Sequence, residues 1–178
     1  AALQSRDTGE EQEPEQPEFS LVNIDLGVDA QLPYTYVEDL TERLTVYQRI
    51  AVIRDEKSID EMERELKDRF GPLPVPAELL LATVRARVLC EAANVVSITS
   101  SPTRLTLNLA DPTGGAREAL RKALGRGVDV GHMQIRLDLD RDDEGWLEEL
   151  FWTLEKIVEF REQALQLMQA AGVLAPAD

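Results

Sequence analysis

Asp68-Arg69-Phe70-Gly71-Pro72-Leu73-Pro74 is the stretch on which the fold turns. Phe70 closes an apolar stripe, Gly71 can adopt the left-handed backbone that caps a helix, and Pro72 cannot extend one. Pro74 or Pro76 suits the first turn of the next helix, where a missing N–H is harmless. The stretch therefore predicts a rigid corner between two helices.

Outward from the corner, Ile59, Met62, Leu66 and Phe70 form one narrow stripe, leaving Glu61, Arg64, Glu65, Asp68 and Arg69 to solvent or a partner. Ser58-Ile59-Asp60-Glu61 has the form of a capping box and predicts the start of this helix at Ser58. Before it, Leu40, Leu44, Tyr47 and Ala51 fall at helical spacing, which predicts a helix over 38–54 with that face inward. After the corner, residues 77–94 are apolar almost all round, as expected of a helix at the centre of a domain.

Residues 95–99 and 104–109 read as strands of a hairpin joined by Ser100-Ser101-Pro102-Thr103. Pro112-Thr113 opens a short helix carrying Ala116, Ala119, Leu120 and Ala123, ended by Gly125 and Gly127. Met133, Ile135, Leu137 and Leu139 alternate with polar residues in a further strand. Asp142, Asp143 and Glu144 then favour the positive end of a long last helix with Leu147, Leu150, Leu154, Ile157, Arg161, Leu165 and Met168 along its seam. Near the N-terminus, Val22, Ile24, Leu26 and Val28 alternate as an extended arm expected to cross the domain surface. The order of elements predicts an α+β, or mixed α/β, architecture: a sheet of about three to four strands covered by helices on one main face.

Residues 1–18 hold Asp7, Glu10, Glu11, Glu13, Glu15 and Glu18 with two prolines, too little apolar surface to offset the entropy of ordering. They read as a disordered acidic linker ahead of a domain over 19–174, and a linker in that place suggests a fragment of something longer. The chain carries 34 acidic against 19 basic residues, a formal charge of -15. A surface of that sign repels phosphate backbones and favours cationic protein partners, so direct nucleic-acid binding is not expected. Cys90 is the single cysteine, which excludes an internal disulfide and suits a reducing, cytoplasmic setting. No apolar run approaches the roughly 20 residues of a membrane span, so a soluble protein is expected.

Little here points to catalysis. No phosphate-cradling glycine loop is present, His132 has no nucleophile at a telling distance, and Cys90 falls on a helix expected in the core. Trp146 and Trp152 suit core or interface anchors better than stacking platforms for bases. Asp138, Asp140, Asp142 and Glu149 imitate positions 1, 3, 5 and 12 of a calcium loop, but Asp143 occupies the place of the obligatory glycine. No cofactor and no metal are expected; a freestanding enzyme using carboxylates or a divalent metal at residues 138–142 is the competing reading. Glu65 and Asp68 stand apart. They share a helix face, and Asp68 lies in the last turn, where the helix dipole disfavours negative charge. Pairing with Arg64 and Arg69 along the helix is the alternative account of them.

Glu65-Leu66-Lys67-Asp68-Arg69-Phe70-Gly71-Pro72-Leu73-Pro74 resembles the E-L-x-D-R-F-G-P-L-P signature found in the C-terminal domain of the bacterial transcription-repair coupling factors, the Mfd family. Ile24-Asp25-Leu26-Gly27-Val28-Asp29-Ala30 resembles that domain's I-D-L-x-V-D-A entry. Arg43-Leu44-Thr45-Val46-Tyr47-Gln48-Arg49-Ile50-Ala51 resembles its R-L-x-x-Y-x-R-I-A helix. The resemblance spans about residues 20–170, by pattern alone after Asn94. It implies a non-catalytic domain of an ATP-driven DNA translocase that engages stalled RNA polymerase and recruits UvrA. It further implies that this domain folds back on the UvrA-binding module of the same protein, with Glu65 and Asp68 in the contact.

Overall fold

The computed structural model describes residues 22–172, so the acidic stretch 1–18, its boundary at residue 19 and residues 173–174 lie outside the described residues. The corner forms as its sequence requires. Helix α2 (Glu56–Phe70) stops at Gly71, whose φ of 88° few side chains tolerate, and the Gly71 N–H caps Lys67 O at 3.0 Å. Helix α3 (Val75–Ala93) follows with Pro74 at its N-cap and Pro76 in its first turn. Asn94 ends it in the left-handed conformation.

The start of α2 differs from the capping box. Asp55 is the cap: its carboxylate accepts from Ser58 N–H and Ser58 Oγ–H, both at 2.8 Å, and the helix begins at Glu56. A carboxylate one turn earlier satisfies the same orphan donors and adds charge at the positive end of the dipole, so it outcompetes the hydroxyl of Ser58.

Helix α1 (Leu40–Ala51) is capped by Asp39 and buries Val46 and Ile50. The expected inward face is rotated away: Leu40 and Leu44 are more than half exposed. Two apolar rows run along this helix, and the one one turn round reaches α2 and α3. The Arg87 guanidinium of α3 closes the far end of α1 by donating to Ile50 O and Ile53 O.

The sheet has five strands, one more than the upper expectation, in the order β1-β2-β3-β5-β4. The arm does not merely cross the surface; Asn23–Ile24 (β1) pairs in parallel with Val95–Ser101 (β2). Strand β2 and Arg104–Leu109 (β3) form the hairpin, which runs to Ser101 and turns on Pro102-Thr103 alone. Val95 and Ile98 are both buried although three residues apart, which a regular strand would place on opposite faces. A bulge between Val95 and Ser97 restores them to the same side. Val128–Val130 (β4), too short and too near its glycines to be seen as a pattern, pairs with Gln134–Asp138 (β5) at the other edge.

One face of the sheet presents Ile98, Leu105, Leu107, Ile135 and Leu137 to α3, to α4 (Arg117–Leu124) and to α5 (Trp146–Ala170). Met133 falls outside β5 and is partly exposed. Helix α4 follows a single 3-10 turn over Gly114–Ala116 and buries Leu120 and Leu124, its alanines facing solvent instead of the core. The opposite face of the sheet is polar. A chain of hydrogen bonds crosses it from Asn108 to Ser97, from Gln134 to Asn108 and from Arg136 to Gln134 and Asp129.

Among the described residues the apolar interior divides into two clusters. One joins the sheet to α4, α5 and the C-terminal half of α3; the other joins α1 and α2 to the N-terminal half of α3. Helix α3 therefore does hold the centre, as its all-round apolarity implied, because it faces a different core at each end.

Candidate functional site

The two carboxylates singled out in the sequence stand on the outer side of α2 but in different circumstances. Glu65 lies between α1 and α2. Arg49, from the last turn of α1, donates Nη1 and Nη2 to its two oxygens at 2.6 Å each, and Arg69 Nη1 adds a bond at 3.0 Å. Arg69 in turn pairs with Glu42 of α1 and stacks 4.9 Å over the Phe70 ring. The result is an alternating network, Arg49–Glu65–Arg69–Glu42, that clamps the two helices. The hydrogen bonds from Arg49 hold the Glu65 carboxyl below the usual glutamate range, against partial burial, which pushes the other way.

Asp68 is exposed, and among the described residues no side chain or backbone N–H is bonded to it. Arg64, a candidate partner, instead donates to Asp60 O. The alternative account of the two carboxylates thus describes Glu65, which Arg69 does pair with one turn on, and does not describe Asp68.

What fixes the position of Asp68 is the corner beneath it. The Tyr36 hydroxyl donates to Leu66 O at 3.0 Å and Gly71 O at 2.8 Å, and its ring meets Phe70 edge-on with centroids 5.7 Å apart. Two carbonyls freed by the helix end are thereby satisfied on either side of Asp68. Neither Tyr36 nor the arginine network was singled out from sequence as part of the site. Arg49 and Arg69 lie within the quoted motifs and carried that signal; Tyr36, thirty positions ahead of Leu66, carried none.

The other candidates are placed as follows. Cys90 is fully buried in the sheet-side core, where burial pushes its thiol up to about 12. His132 lies in the bend before β5, its carbonyl held by Thr113. Asp138 pairs with Arg104 across the open sheet face, Asp140 accepts from Asp142 N–H, and Asp143 accepts from Gly145 N–H. That calcium-like spacing is thus a strand end followed by local turns. Among the described residues no group of three or more His, Cys, Asp or Glu side chains is placed to hold a metal ion. Trp146 packs on the core under Arg141, and Trp152 is partly exposed beside Lys156. No helix of the described residues is long and apolar enough to cross a membrane.

The sequence model of the family described as TRCF domain matches residues 26–119, more than half of the chain and all of α1, α2 and the corner. This chain belongs to the TRCF domain family. A transcription-repair-coupling factor of Mycobacterium tuberculosis is 39% identical over 80 residues, covering 45% of this chain and 6% of the relative. That of Staphylococcus haemolyticus is 27% identical over 146 residues, covering 79% of this chain and 12% of the relative. That of Haemophilus influenzae is 39% identical over 98 residues, covering 55% and 9% respectively. The TRCF domain chain thus spans only about a tenth of the length of these relatives. A crystal structure of the C-terminal domain of a transcription-repair coupling factor superposes with a TM-score of 0.67 at 23% identity, covering 81% of this chain and 96% of the other. The fold is therefore that of the TRCF C-terminal domain, including the region after Asn94 where sequence patterns alone were available.

Proposed function

We propose that this TRCF domain is a non-catalytic latch. In the longer protein it docks on the UvrA-binding module of the same chain and masks it until the DNA translocase engages a stalled RNA polymerase. Motor, polymerase contact and DNA contact belong to other parts of that protein, which operates in the cytoplasm. The unit over residues 19–174 acts as the regulatory body and residues 1–18 as its acidic linker.

The observation that carries this reading is Asp68: an exposed carboxylate held at a helix C-terminus, where the dipole disfavours it and where it has no hydrogen-bond or ion-pair partner among the described residues. A cationic side chain on a docking module supplies both the missing counter-charge and a charge-assisted hydrogen bond. Glu65 belongs to the same contact through its network, since an incoming arginine can share oxygens that Arg49 and Arg69 already approach. The two residues divide the work, with Asp68 bonding the partner and Glu65 holding α1 and α2 in the docking geometry.

Titrating the isolated UvrA-binding module into this chain tests the proposal. Asp68→Ala is expected to weaken binding roughly tenfold or more, in the range of a charged hydrogen bond, with an unchanged melting temperature. Glu65→Ala combined with Asp68→Ala is expected to weaken it further. Equal affinity of Asp68→Ala and the parent chain would remove Asp68 from the interface and the latch with it.

A further inference from the structure

Arg64 stands one turn ahead of Asp68, so the two share the face of α2 that points away from the buried Ile59, Met62 and Leu66. Both are exposed, and neither has an ion-pair partner among the described residues. Three carboxylates lie within a turn of Arg64, yet none holds it. Asp60 is bonded by Arg85 of α3 at 3.0 Å and offers Arg64 only its backbone carbonyl, at 3.3 Å. Glu61 faces Lys57 at 3.7 Å. Asp68 is the third, and an acid four positions after a base is the less favourable order on a helix. The other cations of α2 are engaged on its flanks, Lys67 with Glu63 and Arg69 with Glu42 and Glu65. Along the outer face the residues therefore run Lys57, Glu61, Arg64, Asp68, charges that alternate in sign and cancel.

We infer that this face is recognised by register and not by net charge: the docking module sets a carboxylate against Arg64, one helical turn from the cation it sets against Asp68. The inference rests on the latch and names the chemistry of its partner. A partner surface that is basic throughout loses at Arg64 what it gains at Asp68, because like charges brought together at an interface are costly. A surface carrying an acid and a base about 5–6 Å apart gains at both. Arg64 thus rejects wrong partners as well as contacting the right one, in a chain whose charge of -15 otherwise attracts any cationic surface. Its guanidinium gives Nε to the Asp60 carbonyl and keeps Nη1 and Nη2 for a forked bond to an incoming carboxylate.

The test titrates the isolated UvrA-binding module into this chain carrying Arg64→Glu, Arg64→Gln or Asp68→Ala, with the melting temperature of each variant measured alongside. The sign of the Arg64→Glu effect decides. A module with an acid opposite Arg64 binds that variant roughly tenfold more weakly, although it is the more acidic chain. Arg64→Gln, which places no new charge beside Asp60, Glu61 and Asp68, moves affinity in the same direction by less and without a change in melting temperature. Tighter binding of either variant marks a uniformly basic partner surface and overturns the inference, as does an affinity equal to the parent's. Asp68→Ala keeps the two readings apart. Binding weakened by Asp68→Ala but not by the Arg64 variants preserves the latch and removes the register; binding unmoved by all three removes both.

Discussion

The Tyr36 hydroxyl gives one proton to two carbonyls at the end of α2, so its removal leaves both partly buried acceptors short of a donor. Tyr36→Phe is expected to cost about 1–3 kcal/mol in urea unfolding, the usual range for an orphaned acceptor, with most of the loss in the corner. Gly71→Ala belongs to the same corner and acts differently. Open space surrounds the position, so the cost of about 1–3 kcal/mol arises from backbone conformation alone. Glu65 adds a pH dependence. Because its folded-state carboxyl titrates below the unfolded value of 4.5, the stability it contributes is complete above that pH and is lost as the pH falls through the folded value. Glu65→Gln should therefore flatten the acid limb of a stability profile below about pH 4.5 relative to the parent. The two carboxylates of the site looked alike as letters, three apart on one helix. Their difference rests mainly on Arg49 reaching Glu65 across the α1–α2 gap, a contact that spacing along α2 does not encode.

Among the elements, α2 and α3 were the most legible, because a single apolar stripe, a glycine stop and an all-round apolar run each admit one packing. Helix α1 was misread for the opposite reason. It carries Leu40 and Leu44 beside Val46 and Ile50, and only the position of Arg87 and the second core decides which row turns inward. The cap of α2 was misplaced since Asp55 and Ser58 are both good caps, and the carboxylate prevails. Asp55→Ala is accordingly expected to lower the melting temperature, while Ser58→Ala has a smaller effect. Bonds from the Ser58 N–H and hydroxyl hold the Asp55 carboxyl below its ordinary 3.8, so its contribution is present above that pH and disappears as the carboxylate takes up a proton. A paired melting series at pH 7 and at low pH checks this: the two curves should differ at the first and converge at the second. Strand β4 escaped notice because three residues with a central Asp129 bear no alternation long enough to read.

For the molecule as a whole, the α+β class and the long C-terminal helix were legible, and the division of the interior was not. Nothing in a linear pattern marks α3 as facing one core with Ala77, Leu81 and Val84 and another with Ala86, Leu89 and Cys90. The shared helix predicts joint unfolding. Leu66→Ala, in the helical core, should cost about 2–5 kcal/mol as a fully buried truncation. It should shift the transition followed by fluorescence of Trp146, which packs on the other core from α5, by the same amount as helix circular dichroism. Transitions that separate in that variant would show the cores to be independent.

The way the chain enters the domain has a mechanical consequence. Strand β1 is two residues long, at an edge, secured by its short ladder to β2, by Asp25 N–H on Ile98 O and by Arg141 on Leu26 O. Tension arriving ahead of Val22 meets this weak seam first, and peeling it bares the rim of β2 while α3 still ties both interiors together. A pull transmitted from upstream would thus be relieved at the doorstep, sparing the corner that presents Asp68.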